Sequence, residues 1–282
     1  MKRWTVFSIS ACWLAWASPA SADTNLLGRF DRDRDLYLAH FDNKTDVDDV
    51  HSVAAVATML ADPRFSKVRY HAVAGTYGIQ EGLYVPAEAV FELAFGDRWS
   101  DAHADFDRAL GEVLELSIGT LDGGGSIWIA EGGQSDFSAA LVREIRDRNP
   151  DLDVKNRVHI VQHADWNEEV TTPEDLEFVK THASYHRIAS GNAVGNGTPG
   201  FRSHTPVDWQ EAVRDPELRG IWAAAIEVAD RYNGAEGRYL NEAIRDGGVD
   251  FSDAAETAWI FGFGDLVDVD DFFEEFGDLT TR

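Results

Sequence analysis

Short apolar runs alternate with longer amphipathic stretches along this chain. Leu36 to Phe41 is the first such run and predicts a strand. From Asp48 to Leu60, Val50, Val53, Ala54, Ala57 and Leu60 recur at helical spacing and predict a helix. The order then repeats. Val68 to Ala74 predicts a strand running into Gly75-Thr76-Tyr77-Gly78, and Pro86 to Phe95 predicts a helix. Ser126 to Ala130 predicts a buried strand ending in Glu131-Gly132-Gly133. Ser135 to Arg146 predicts a helix with Ser135 as its N-cap. Val158 to Gln162 predicts a further strand, and Glu174 to Thr181 and Ile221 to Tyr232 further helices. Ser252 to Ile260 predicts a late helix capped by Ser252 or Asp253. Strand–helix alternation builds βα units. The expected fold is α/β: a single-domain, Rossmann-like, mostly parallel sheet flanked by helices. No internal repeat or low-complexity linker divides it.

Polar residues fall where such a fold binds ligands. Asp42, Gly75, Glu131 and His163 each follow the carboxyl end of a predicted strand. Open α/β sheets bind ligands in the crevice outside those ends.

The first residues follow a different pattern. Lys2 and Arg3 precede an uncharged stretch from Trp4 to Trp16, and Ser18-Pro19-Ala20-Ser21-Ala22 follows. That layout predicts a secretory signal peptide over residues 1–22, cut after Ala22. A span would need about 20 apolar residues, more than this run supplies. Ile9-Ser10-Ala11-Cys12 also reads as a lipidation box, although the apolar run continues past Cys12. The expected mature chain is residues 23–282, exported to the periplasm or beyond the cell. No later stretch is long and apolar enough to cross a bilayer. Cys12 is the one cysteine, so the mature form has no disulfide, thiol nucleophile or thiolate metal site.

Charge narrows the partners. The formal charge is −25, and removing Lys2 and Arg3 takes it to −27. Such a field repels nucleic acid and anionic membranes. It suits a neutral or cationic small molecule, or a hard cation. Most of the acids are expected to form a solvated surface. A homo-oligomer is compatible with the sequence, which does not specify one.

The densest acidic segment is Asp42-Asn43-Lys44-Thr45-Asp46-Val47-Asp48-Asp49. Like charges this close repel unless something neutralises them. A helix N-terminus accepts one or two acids. A divalent cation accepts more, and calcium takes about six to eight oxygens. A hard divalent cation such as calcium is therefore the expected guest of this segment.

The strand, acidic loop and helix with its Asp-Asp pair resemble the opening of the nucleoside hydrolases. The closer likeness is to the secreted nucleoside-hydrolase-like group, with its Asp-x-x-x-(Asp/Glu)-x-Asp-Asp form. Ile127-Trp128-Ile129-Ala130-Glu131-Gly132-Gly133-Gln134-Ser135-Asp136 resembles the family's central strand and turn. Gly195-Asn196-Gly197-Thr198-Pro199 resembles its sugar-binding loop, and Asp250-Phe251-Ser252-Asp253-Ala254 its late metal-binding turn. The matches keep the family's order from residue 36 to about 260.

The resemblance implies a calcium-dependent hydrolase of glycosidic bonds, acting on N-ribosides or a related glycoside. An Asp-activated water would attack the anomeric carbon. It implies Asp49 and Asp253 as metal ligands, a backbone carbonyl at Glu131 as another, and Asp48 and Asn196 as sugar contacts. The family's usual base aligns to Lys44, which can neither bind calcium nor accept a proton while charged. Either Asp46 or Asp42 serves as the base from a remodelled loop, with Asp42 also a metal ligand, or Lys44 neutralises the cluster and dispenses with the metal. The Glu and Asn expected after Pro199 are Arg202 and His204. A degenerate sugar- or nucleoside-binding protein of the same fold is the alternative.

Other residues offer competing chemistry. His163 could protonate a leaving group and Trp166 could stack on a base or sugar. Equally, the pair reads as a surface His and a half-buried Trp. Asp31, Asp33, Asp35 and Asp42 match calcium-loop spacing, but Leu36 replaces the required glycine. Asp46-Val47-Asp48 does not directly end a strand, as a phosphatase nucleophile should. Ser135 lacks a nucleophile-elbow pattern. Gly123-Gly124-Gly125 precedes a strand and is read as a loop. His182, His186 and His204 are read as structural, and Asp268 to Asp271 as a solvated C-terminal face.

Overall fold

The computed structural model of the chain describes Met1 and residues 25–279. Apart from Met1, the expected signal segment, residues 1–22, lies outside the described residues. The centre is a six-stranded sheet. Its strands are β1 (Leu36–Phe41), β2 (Arg69–Ala74), β3 (Trp99–Asp101), β4 (Ile127–Glu131), β5 (Val158–Gln162) and β6 (Ser184–Arg187). Their order is β3-β2-β1-β4-β5-β6 and every pairing is parallel. The expected α/β, Rossmann-like architecture is what the chain forms.

The central strands read clearly in sequence because both faces are covered. β1 and β4 are buried at every residue, as parallel strands between helix layers must be. One face packs the Asp48–Ala61, Glu88–Phe95, Pro216–Tyr232 and Val269–Phe276 helices. The other packs Phe106–Asp122, Asp136–Arg148 and Pro173–His182.

Three expectations need correction. Ser135 occupies the N-cap position of the Asp136–Arg148 helix but makes no side-chain cap. Its hydroxyl instead donates to Gln162 Oε1 at 3.3 Å. The late helix begins as a 3-10 turn, Ser252–Ala254, before Ala255–Ile260, again without a side-chain cap. The Asp268 to Asp271 stretch is more than a solvated face. Asp268 caps a helix by accepting from the amides of Asp270 and Asp271, and that helix buries Val269, Phe272, Phe273 and Phe276.

The topology sets the site. The chain runs from β1 outward through β2 to β3, then returns to the other side of β1 for β4. Loops leaving β1 and β4 therefore part in opposite directions. The crevice between them is the switch point where such sheets bind ligands.

Candidate functional site

Asp42 follows β1, Gly132 and Gly133 follow β4, and His163 follows β5. All but Gly133 line one cavity of about 390 Å³. The turns meet closely. A Cβ on Gly133 would lie 2.5 Å from Asp42 Cβ, and one on Gly132 2.9 Å from Asp253 Cβ. The two glycines let the late Asp253 turn reach the acidic loop across the sheet end.

The loop itself is bound by its own carboxylates. Asn43 takes φ +52°, a left-handed conformation that asparagine tolerates. Its amide donates to Asp49 Oδ2 at 2.5 Å. The Lys44 amide donates to Asp42 Oδ1 at 2.7 Å, and the Gln134 side-chain amide to Asp42 Oδ2 at 2.6 Å. Asp48 and Asp49 open the following helix, where the dipole favours negative charge.

Asp46, Asp48, Asp49 and Asp253 line the cavity with Asp42. Fully buried Asp250 stands behind them. One asparagine ties the outer pair: Asn241 Nδ2 lies 2.9 Å from Asp250 Oδ2 and 3.2 Å from Asp46 Oδ1. Arg202 Nε is 3.3 Å from Asp250, because the two residues are register partners in a short antiparallel pair.

Crowding and burial disfavour ionisation here. Burial, reinforced by Asp253, pushes Asp42 up to about 7. Burial and then Asp250 push Asp46 up to about 7. Asp48 is raised by burial and Asp46, and Asp49 by burial and Asp42. Ionised, Asp42 and Asp49 cannot donate to each other. Asp49 Oδ1 is left buried with no hydrogen-bond partner.

His163 closes the inner side. Its Nε2 lies 2.9 Å from Asp253 Oδ1, and its Nδ1 accepts the Gly191 amide at 2.9 Å. Burial opposes its charge while Glu256 and Asp253 favour it, and the Gly191 amide pointing at Nδ1 decides for the neutral ring. The Gly191 amide requires a bare Nδ1, so the shared proton belongs on Nε2. Glu256 accepts the His163 amide through Oε1 at 2.9 Å. Its Oε2 is buried and unpartnered, and burial pushes the carboxyl up to about 8.

The expected residues divide into two groups. Asp42, Asp46, Asp48, Asp49, Asp253, His163 and Trp166 are brought together. His163 is buried rather than on the surface. Trp166 is 58% exposed at the mouth rather than half-buried. Glu131 and Asn196 are not brought in. The Glu131 carboxyl is held by His40 at 3.1 Å and by Ser138, and its carbonyl accepts from Gln162 Nε2 at 2.8 Å. Asn196 turns into its own loop, donating to the Ser190 carbonyl at 2.7 Å. From the same loop Asn192 lines the cavity and donates to Ser252 Oγ. Asn192, Asn241, Gln134 and Asp250 were not singled out as site residues from sequence. The Asp250-x-x-Asp253 spacing was the one available sign.

Asp31 and Asp35 serve the other end of the sheet. Asp35 accepts from the Asp31 and Ser126 amides and from Trp128 Nε1, and Asp31 pairs with Arg34. Asp35 thereby staples the starts of β1 and β4, while the Asp31 carboxylate also accepts the Asp33 amide.

The donor chemistry of the cavity fits a hard divalent cation: carboxylate oxygens, one of them buried and unpartnered. Among the described residues no group of three or more His, Cys, Asp or Glu side chains is already arranged around a metal-sized point. Asp42, Asp49 and Asp253 would accept an ion in addition to the protein donors they hold. No protein-family model, curated protein or solved structure matches this chain.

Proposed function

We propose that the protein is a calcium-dependent hydrolase of glycosidic bonds, acting on an N-riboside or related glycoside. The carrying observation is the set of aspartates from two distant segments, 42–49 and 250–253, around one cavity at the switch point. Buried carboxylates with raised pKa values are typical of sites built for a charged guest or for proton transfer.

Asp42, Asp49 and Asp253 would hold the ion. When bound, it orients sugar hydroxyls and makes a nearby water more acidic. The chain's own residues supply the rest. Asp48 accepts a hydrogen bond from a sugar hydroxyl. Asp46, on the cavity wall and steadied by Asn241, takes the proton from the attacking water. The water oxygen bonds to the anomeric carbon, the glycosidic bond breaks with its electron pair on the leaving group, and solvent returns a proton there. The surrounding carboxylates offset the positive charge developing on the sugar. Trp166 offers an exposed indole face for a flat leaving group. His163 has both ring nitrogens engaged and serves as the positioning residue for Asp253, not as an acid.

A second reading is favoured by Lys44, which stands where the resembled family keeps its base. On that reading the cavity binds a sugar or nucleoside without turnover. Calorimetric titration with calcium and a screen of ribosides separate the two. Hydrolysis that depends on added calcium and is lost with binding in Asp49→Ala supports the enzyme. Calcium and ribose binding with no turnover of any riboside supports the binding protein. Retention of metal binding and turnover in Asp49→Ala would sink the assignment.

A further inference from the structure

The cavity wall holds one cation that none of its aspartates has captured. Lys44 Nζ sits 4.2 Å from the centroid of the Tyr77 ring, and no carboxylate among the described residues pairs with it. Arg202, by contrast, is engaged by Asp250 at 3.3 Å. A flexible ammonium beside Asp42, Asp46 and Asp48 would fold onto one of them unless held away.

The support that holds it is built from several elements. The Tyr77 hydroxyl lies 2.9 Å from His103 Nδ1. The His103 ring stacks on Tyr84 at 3.9 Å and 8°. Gly75, at φ +84°, makes room for His103, since a Cβ there would lie 2.5 Å from the His103 amide nitrogen. The backbone of Lys44 is fixed too. Its amide donates to Asp42, and the residue bridges to Tyr84, whose carbonyl accepts from Arg238 at 2.7 Å. Both the stem and the shelf beneath the ammonium are therefore positioned.

We infer that Lys44, kept off the aspartates by the Tyr77 ring, is the residue with which this site recognises a phosphate group on its sugar ligand. This rests on the sugar-binding reading above and names the substrate class within it: a phosphorylated riboside. A neutral sugar has no use for a cation withheld from the acids. A single ammonium binds phosphate as a point charge. The aspartates repel any anion, so phosphate binding depends on the divalent ion they carry. Ion and ammonium then bracket the ligand from two sides.

Calorimetry on the calcium-loaded protein, with ribose and ribose 5-phosphate as probes, tests this. Ribose 5-phosphate is expected to bind about tenfold more tightly or better. Added salt should narrow the gap. Lys44→Met should bring the two affinities to a ratio of about one, and Lys44→Arg should keep a preference. Tyr77→Leu, which frees the ammonium to reach the aspartates, should also shrink the ratio. Equal affinities in the unaltered protein, or an unchanged ratio in Lys44→Met, overturn the inference and leave the hydrolase reading standing. Failure to bind calcium and either sugar overturns both.

Discussion

His163 lies between two groups that need opposite things from it: Asp253 Oδ1, 2.9 Å from Nε2, takes a proton, and the Gly191 amide, 2.9 Å from Nδ1, gives one. The neutral ring with its proton on Nε2 satisfies both. Removing it strands a buried carboxylate and a buried amide, each costing about 1–3 kcal/mol. His163→Ala is therefore expected to lose about 2–4 kcal/mol in a urea titration. Asn presents both a donor and an acceptor but is shorter, so His163→Asn should recover part of this. A loss under about 0.5 kcal/mol, the range of ordinary surface changes, would show that the ring is not engaged as described.

Stability should fall as pH rises while the metal is withheld. Asp42 and Asp46 are raised from 3.8 to about 7 and Glu256 from 4.5 to about 8. Each group binds its proton more tightly folded than unfolded. Its stabilising contribution is complete below the unfolded pKa and is lost as pH passes the folded one. All three act in the same direction, and the loss spans about pH 4 to 8. In chelator, the denaturation midpoint should be higher at pH 5.5 than at pH 8.5. Calcium should raise the midpoint more at pH 8.5, where it replaces the missing protons. A chelated protein that is more stable at the alkaline pH would contradict the assigned burial of these acids.

The glycines after β4 should be intolerant for a reason visible only in three dimensions. A Cβ on Gly133 would meet Asp42 Cβ at 2.5 Å and the Asp42 amide nitrogen at 3.0 Å. Neither can yield without moving the end of β1. Gly133→Ala is expected to cost about 1–3 kcal/mol by overpacking. Gly111 is the control. It lies in the Phe106–Asp122 helix with nothing within 4 Å of an added Cβ. Gly111→Ala should stabilise by about 0.5–1 kcal/mol. Equal effects at the two positions would show that the close approach of the turns is not real.

What could be read from sequence follows from where each residue gets its information. β1 and β4 are covered on both faces, so their burial is written as apolar runs broken only by His40 and by the terminal Glu131. β3 (WSD) and β6 (SYHR) lie at the sheet edges, are short and carry polar residues, and their sequences do not announce them. The Val269–Phe276 helix hides its buried phenylalanines among acids. In the site, the 42–49 acids are legible because their density alone demands an explanation. Asn241 and Asp250 are not, since their meeting with Asp46 depends on a contact across 195 positions. The choice between Asn192 and Asn196 is decided by the path of one glycine-containing loop, to which side-chain pattern gives no clue.

Trp166 separates a structural role from a functional one most cleanly. It lies in a short helix, Asp165–Glu169, two residues beyond His163, and the residue is 58% exposed at the cavity mouth. Burying such a ring is favourable, so an exposed one costs the free protein a stabilising contact it could have had. Removing it should therefore cost little: Trp166→Ala is expected to change stability by no more than about 0.5 kcal/mol. A flat leaving group stacked on the indole would lose about 1–3 kcal/mol of binding, roughly tenfold or more in affinity. Ribose alone, seated on the aspartates below, should be nearly unaffected. Paired titrations with ribose and a riboside give this difference directly. A comparable loss for both ligands would mean that Trp166 shapes the cavity as a whole, and an unchanged riboside affinity would remove it from the site.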